Sequence, residues 1–220
     1  MVENLARLID VRVPATPEGV VIVLHGGARR GTMGVCPTQL SVVRMIPIAR
    51  RISRDGGARL AVFRLLNSRR GWDSSQTPLD DVLVALDELA GRLGPLPVCL
   101  VGHSLGGRAA LLAGGEDAVR GVVALAPWVL PSDDVSALAG KPVLIVHGAD
   151  DRVASPARAR LIAERLGPGT LELVPGAGHA MLRHHSRFSG AASRFARDVL
   201  LRDPDSPPVA PRGFSLGPSQ

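Results

Sequence analysis

The sequence predicts an α/β protein with a doubly wound, mostly parallel sheet. Short aliphatic runs recur along it, the stretches between them carry helix start and stop signals, and the two alternate to about residue 200. The runs Val20–Leu24, Leu60–Leu65, Val98–Val101, Val122–Leu125, Val143–Val146 and Leu171–Val174 are almost continuously hydrophobic. Strands of that kind are covered on both faces, as in a parallel sheet. Leu8–Val13 alternates instead, which fits an edge strand.

The intervening segments justify the helices. Thr77-Pro78-Leu79-Asp80 combines an N-cap, a first-turn proline and an acidic first turn. Leu79, Val82, Leu83, Leu86, Leu89 and Leu93 then mark one helical face, and Gly94 ends it. Ser155-Pro156 opens another helix that runs to Gly167, and Phe188, Ala192, Phe195 and Val199 trace a last one. From Asp203 onward the chain turns to Pro, Ser and Gly with little to bury. One domain over 1–202 and a disordered tail over 203–220 are expected.

Composition narrows the function classes. Hydrophobic residues are 45% and charged residues 21% of the 220, a globular balance, but aromatics are only 3% and tyrosine is absent. The core must therefore come from Val, Leu, Ile and Ala. The net charge of +6 is carried almost wholly by arginine, since Lys141 is the only lysine. The arginines are scattered, with few aromatics beside them and no nucleic-acid motif, so no nucleic-acid partner is expected. No apolar stretch approaches the roughly 20 residues of a membrane span. The start Met1-Val2-Glu3-Asn4 lacks the basic and apolar regions of a signal peptide, so a cytoplasmic protein is expected. Cys36 and Cys99 need not pair, and Cys99 sits in an apolar strand where a thiol behaves as a small hydrophobe.

Four motifs carry chemistry. Gly102-His103-Ser104-Leu105-Gly106 follows the strand Val98–Val101 and precedes an apolar helix over 108–113. A serine hydroxyl is a poor nucleophile, so it must stand exposed at a sharp turn where a histidine can reach it, and small residues two before and two after relieve the crowding. Leu24-His25-Gly26-Gly27 follows the strand Val20–Leu24, where backbone amides can receive an oxyanion. The expected donors are the amides of Leu105 and Gly27, with Ala28 as neighbour. His25 is expected to hold that loop by hydrogen bonds rather than act as a base. His147-Gly148-Ala149-Asp150-Asp151-Arg152-Val153 follows a strand, which brings its carboxylates to the sheet edge that holds the serine turn. Gly176-Ala177-Gly178-His179 follows the next strand at that edge. Either Asp150 or Asp151 could orient His179.

Together these motifs resemble the α/β-hydrolase superfamily, and within it small bacterial serine esterases and dienelactone-hydrolase-like members. The likeness covers about residues 10 to 200 and rests on four motifs in the right order after the right strands. It implies an α/β-hydrolase fold with Ser104 as nucleophile, His179 as base and Asp151 as the orienting acid. Asp151 is favoured over Asp150 because the family pattern H-G-x-x-D-x-[IV] fits His147, Gly148, Asp151 and Val153. Relatives often insert a helical lid, but about fifteen residues separate Leu125 from Val143, so no cap domain fits. Trp72 and Trp128 could line the open mouth or simply pack against loops. No metal-ligand spacing or nucleotide-binding glycine motif is present, and no cofactor is implied. The expected reaction is hydrolysis of a small-molecule ester. Alternatives are a thioesterase acting on an acyl chain held by an acidic carrier protein and a non-catalytic binding protein on the same fold.

Overall fold

A computed structural model describes residues 5–28, 31–72, 77–167 and 170–201. Its centre is a seven-stranded sheet of β1 (Arg7–Arg12), β2 (Gly19–Leu24), β3 (Leu60–Leu66), β4 (Val98–His103), β5 (Val119–Leu125), β6 (Val143–Gly148) and β7 (Leu171–Val174). The spatial order is β1-β3-β2-β4-β5-β6-β7. Only β1, at the edge, runs antiparallel to its neighbour. It is also the strand whose sequence alternates, and from Ile9 to Arg12 its burial alternates with it. Strands β2 and β4 are buried at every position, as their unbroken aliphatic runs require.

Helices cover both faces. On one side lie α3 (Thr77–Leu93), α4 (Leu105–Leu112) and α5 (Pro156–Leu166), whose Val82, Leu89, Ala109 and Ile162 join Phe63, Leu100 and Val122 of the sheet. On the other lie α2 (Ile46–Gly56) and α6 (His185–Leu200), which bring Ile48, Ile52, Phe188 and Ala192 against Val21, Val62, Val101 and Val123. Successive sheet residues thus feed opposite cores, as the two-residue strand period dictates. The short α1 (Leu40–Val43) precedes α2.

The expected helices at Thr77, Ser155 and Phe188 are present, and Ser155 caps α5 by accepting from the Arg158 amide. Helix α2 has no counterpart among the expected elements. Its buried face is carried by few apolar residues, Ile48, Ala49 and Ile52, interleaved along the sequence with arginines of the outer face, and its clearest sign is Pro47 in the first turn. Helix α4 starts at Leu105, earlier than the expected 108, because the chain turns into it at Ser104. The connection 126–142 between β5 and β6 holds only a single 3-10 turn at Ser136–Leu138, so no helical cap stands there. The expected tail over 203–220 lies outside the described residues. Among the described residues no helix is long and apolar enough to cross a membrane. Both cysteines are free, Cys36 exposed and Cys99 buried.

The order of the strands creates the crevice. From β2 the chain passes to β3 on one side and then to β4 on the other, so the loops leaving the ends of β2 and β4 diverge from adjacent positions, with Leu24 beside Gly102. Ligands of open α/β sheets bind at such a switch point.

Phe188 is wholly buried where α6 meets the sheet. Phe188→Ala is expected to cost about 3–5 kcal/mol of stability. Urea unfolding followed by circular dichroism measures this, and a loss under about 1 kcal/mol would mean that α6 is anchored by other contacts.

Candidate active site

Ser104 stands between β4 and α4 with φ 55° and ψ −118°, a region that a non-glycine residue occupies at a cost on the order of 1–3 kcal/mol. Its neighbours hold it there. The Ser104 amide donates to the Leu125 carbonyl (3.0 Å), and its carbonyl accepts from the Arg108 (3.1 Å) and Trp128 (3.0 Å) amides. The turn closes so tightly that a Cβ on Gly102 would strike the carbonyl of Gly106, and one on Gly106 would strike the backbone of Leu24 and His25. These two glycines are required by close approach of main chain to main chain.

The serine hydroxyl lies 3.0 Å from His179 Nε2, and His179 Nδ1 lies 2.8 Å from Asp151 Oδ2. With the imidazole protonated at Nδ1, the hydroxyl donates to Nε2 and Nδ1–H donates to the carboxylate, a tautomer assigned from this network. Asp151 is the carboxylate in contact, while the Asp150 side chain is exposed. The choice is made by loop docking. The Ala149 amide donates to the Val174 carbonyl and the Asp150 amide to the Ala177 carbonyl, both 3.0 Å, so the acid loop is fastened to the histidine loop by its own backbone. That turns the next side chain, Asp151, inward.

The Asp151 carboxylate is buried, and burial is the largest single influence on it, favouring the neutral form. Hydrogen bonding from His147 and His179, and from the amides of Ala154 (2.9 Å) and Val153 (2.8 Å), outweighs that penalty and holds the carboxyl well below the usual carboxylate range. His147 is the partner that sequence reasoning gave no role. Fully buried, it donates from Nε2 to the Ala154 carbonyl at 3.2 Å with Asp151 Oδ2 at 3.3 Å. Its sign in the sequence is its place four residues before the acid at a strand end.

His103 packs behind His179, the ring centroids 4.9 Å apart, and its Nε2 donates to the His179 carbonyl at 3.0 Å. Burial first, and the neighbouring His179 second, push its pKa down to about 3. His25 is buried too, with Nδ1 donating to the Gly26 carbonyl (2.6 Å) and Nε2 accepting the Asn67 amide (3.1 Å). Burial lowers its pKa, as does the Arg64 charge. Both histidines therefore serve as neutral supports.

Of the expected oxyanion donors, the Gly27 and Leu105 amides donate to no acceptor among the described residues, whereas Ala28 is committed to the Arg70 carbonyl at 2.9 Å. A Cβ on Gly27 would collide with that same carbonyl. The two tryptophans separate. Trp72 is only 6% exposed and belongs to the core, beneath the Arg108 guanidinium at 4.2 Å from the ring centroid, so of its two expected settings it has the packed one. Arg108 is in turn fixed by Asp133, with contacts of 2.7 to 3.1 Å. Trp128 is half-buried and walls a cleft of about 320 Å³ with Val153, Pro156 and the Asp151 loop. Among the described residues no group of His, Cys, Asp or Glu could hold a metal ion.

A sheet of this order, with a strained serine after the central strand and no cap, defines the lidless α/β-hydrolase class of architecture. Solved structures agree. The chain matches Est1E from Butyrivibrio proteoclasticus at a TM-score of 0.65 and 18% identity, over 90% of this chain and 94% of that one. It matches XC6422 from Xanthomonas campestris, described as an α/β serine hydrolase without a lid, at 0.66 and 20%, over 90% of each. The esterase domain of a Rhodothermus marinus protein matches at 0.66 and 18%, over 89% of this chain and 92% of that domain. The chain has the α/β-hydrolase fold. No protein-family model and no curated protein matches the sequence.

The buried His103 makes stability depend on pH. Its folded pKa of about 3 lies below the unfolded value near 6.5, so only the unfolded chain takes up the proton between them. The contribution is complete above about pH 6.5 and is lost as the pH falls toward the folded value. From about pH 7 to about pH 5 the wild type is expected to lose roughly 2 kcal/mol more than His103→Gln. Urea titrations at both pH values test this, and parallel losses would show that His103 is protonated in the native state.

Proposed function

We propose that this chain is a serine hydrolase that cleaves carboxylic esters of small molecules through an acyl-enzyme on Ser104. The observation that carries the reading is the continuous hydrogen-bonded line from Ser104 Oγ through His179 to Asp151, at 3.0 and 2.8 Å, set on the strained turn. Ser104 Oγ attacks the ester carbonyl carbon as its proton passes to His179 Nε2. Asp151, kept ionised by its hydrogen bonds, fixes the imidazole and stabilises the imidazolium that forms. The uncommitted Gly27 and Leu105 amides receive the oxyanion. Collapse of the intermediate expels the alcohol, which takes its proton from His179. A water deprotonated by the same nitrogen then releases the acid and restores Ser104.

The small-molecule substrate is supported by the lidless architecture and by the esterase neighbours, one of them Est1E with ferulic acid bound. Trp128, whose amide holds the Ser104 carbonyl and whose side chain lines the neighbouring cleft at the Asp151 loop, is the residue here proposed to meet the substrate's apolar part.

Ser104→Ala is expected to retain the fold, to lose labelling by a fluorophosphonate probe, and to lose on the order of 10⁴-fold or more in turnover of a short-chain nitrophenyl ester. Full activity in that variant would eliminate the serine mechanism.

Asp151→Asn favours the wrong imidazole tautomer and is expected to cost up to about 10⁴-fold in kcat. Asp150→Asn removes an exposed charge and is expected to cost far less. Steady-state kinetics on the two variants, each checked by circular dichroism, give the ranking; the reverse order would move the acid role to Asp150.

A further inference from the structure

A second concavity, none of whose lining residues belongs to the candidate active site, runs between the edge strand β1 and helix α2 with a volume of about 460 Å³. Four arginines line it: Arg12 from β1, Arg64 from β3, and Arg50 and Arg54 from α2. Asp10 is the one carboxylate on its wall among the described residues.

The charges do not balance. Both oxygens of Asp10 are already taken by Arg92, at 3.1 and 3.3 Å, and Arg54 leans on Asp55 at 3.4 Å. Arg12, Arg50 and Arg64 have no hydrogen-bond acceptor or ion-pair partner among the described residues. Arg64 is the odd member of β3, the only one of its seven residues that is not fully buried. Burial lowers its pKa, and the nearby Arg50 charge lowers it further. A guanidinium drawn partly out of water toward a like charge, with no counter-charge bonded to it among the described residues, is costly unless an anion completes the site.

We propose that this groove binds an oligophosphate group, either as a free ion or as the phosphate chain of a larger small molecule. Three uncompensated guanidinium groups around one concave space match a compact ligand with several negative charges, and their planar forks suit phosphate oxygens. The volume lies within the range of small-molecule sites. Its apolar wall consists of Val11 and Ile46, with no aromatic ring on which a base could stack. Recognition therefore falls on the phosphates rather than on what they are attached to.

Titration calorimetry of the full chain with tripolyphosphate, pyrophosphate and ATP, at about 0.1 M salt, tests this. Saturable one-to-one binding of tripolyphosphate is expected, with ATP within a few-fold of it and both weakened as salt rises. Arg50→Gln and Arg64→Gln are each expected to weaken binding at least about tenfold, as loss of a charge-assisted phosphate contact does. Arg120→Gln, an exposed arginine on β5 outside the groove, is expected to leave affinity within about twofold. Arg50 is exposed on α2, so its variant decides the matter if Arg64→Gln fails to fold. The proposal is overturned if the wild type shows no saturable binding, or if Arg120→Gln weakens it as much as Arg50→Gln, which would mean attraction to the net charge alone. Binding of ATP without binding of tripolyphosphate would also overturn it, because the base would then be the group recognised.

Discussion

The left-handed backbone of Ser104 is the constraint around which the rest of the molecule is arranged. At φ 55° the residue would relax to an ordinary turn if its surroundings allowed it. Three hydrogen bonds to its amide and carbonyl, from β5, α4 and the segment after β5, remove that freedom. The bonds exist only because β4 is paired on both sides in register, with Leu24 and Leu125 flanking its final residues. Burial of the aliphatic sheet thus holds a strained serine at the switch point, and the glycines at 102 and 106 let the main chains approach closely enough to do so.

The polar groups behind the serine follow a common plan. Three histidines besides His179 are buried around it, and each supports a different loop: His25 the loop after β2, His103 the histidine loop, and His147 the acid loop. A buried imidazole can supply a donor without carrying a charge, provided it remains neutral, and burial lowers the proton affinity of both His25 and His103. The carboxylate in contact with His179, Asp151, is the opposite case: enough donors converge on it to keep the charge despite the loss of water. Geometry and electrostatics therefore agree on a serine line in which His25 and His103 stay neutral and Asp151 holds a fixed negative charge.

The surface is organised on different terms. Elsewhere some arginines find carboxylates, as Arg59 does with Glu18 and Arg108 with Asp133, the second pair nearly buried with the guanidinium stacked on Trp72. The β1–α2 groove is distinct in bringing four arginines around one concavity. The net charge of +6 reads from composition as a diffuse property, yet in space an uncompensated part of it is gathered along one sheet edge.

What the sequence determined by itself was whatever depends on neighbours along the chain. The fully buried strands show as unbroken aliphatic runs, the antiparallel edge strand β1 as an alternating one, and the starts of α3 and α5 as caps with a following proline. The order of the Ser, Asp and His motifs, each just after a strand, already brought Ser104, Asp151 and His179 to one edge of a parallel sheet. Tertiary structure alone decided which of two adjacent carboxylates faces His179, which tryptophan stays at the cleft, and that an arginine-rich segment forms α2. It also decided where His147 points and which arginines gather around one groove. The reason is physical: a side chain's direction out of a loop is fixed by what the loop docks on. Here the docking bonds, Asp150 amide to Ala177 carbonyl and Ala149 amide to Val174 carbonyl, join residues more than twenty positions apart through backbone atoms that every residue shares.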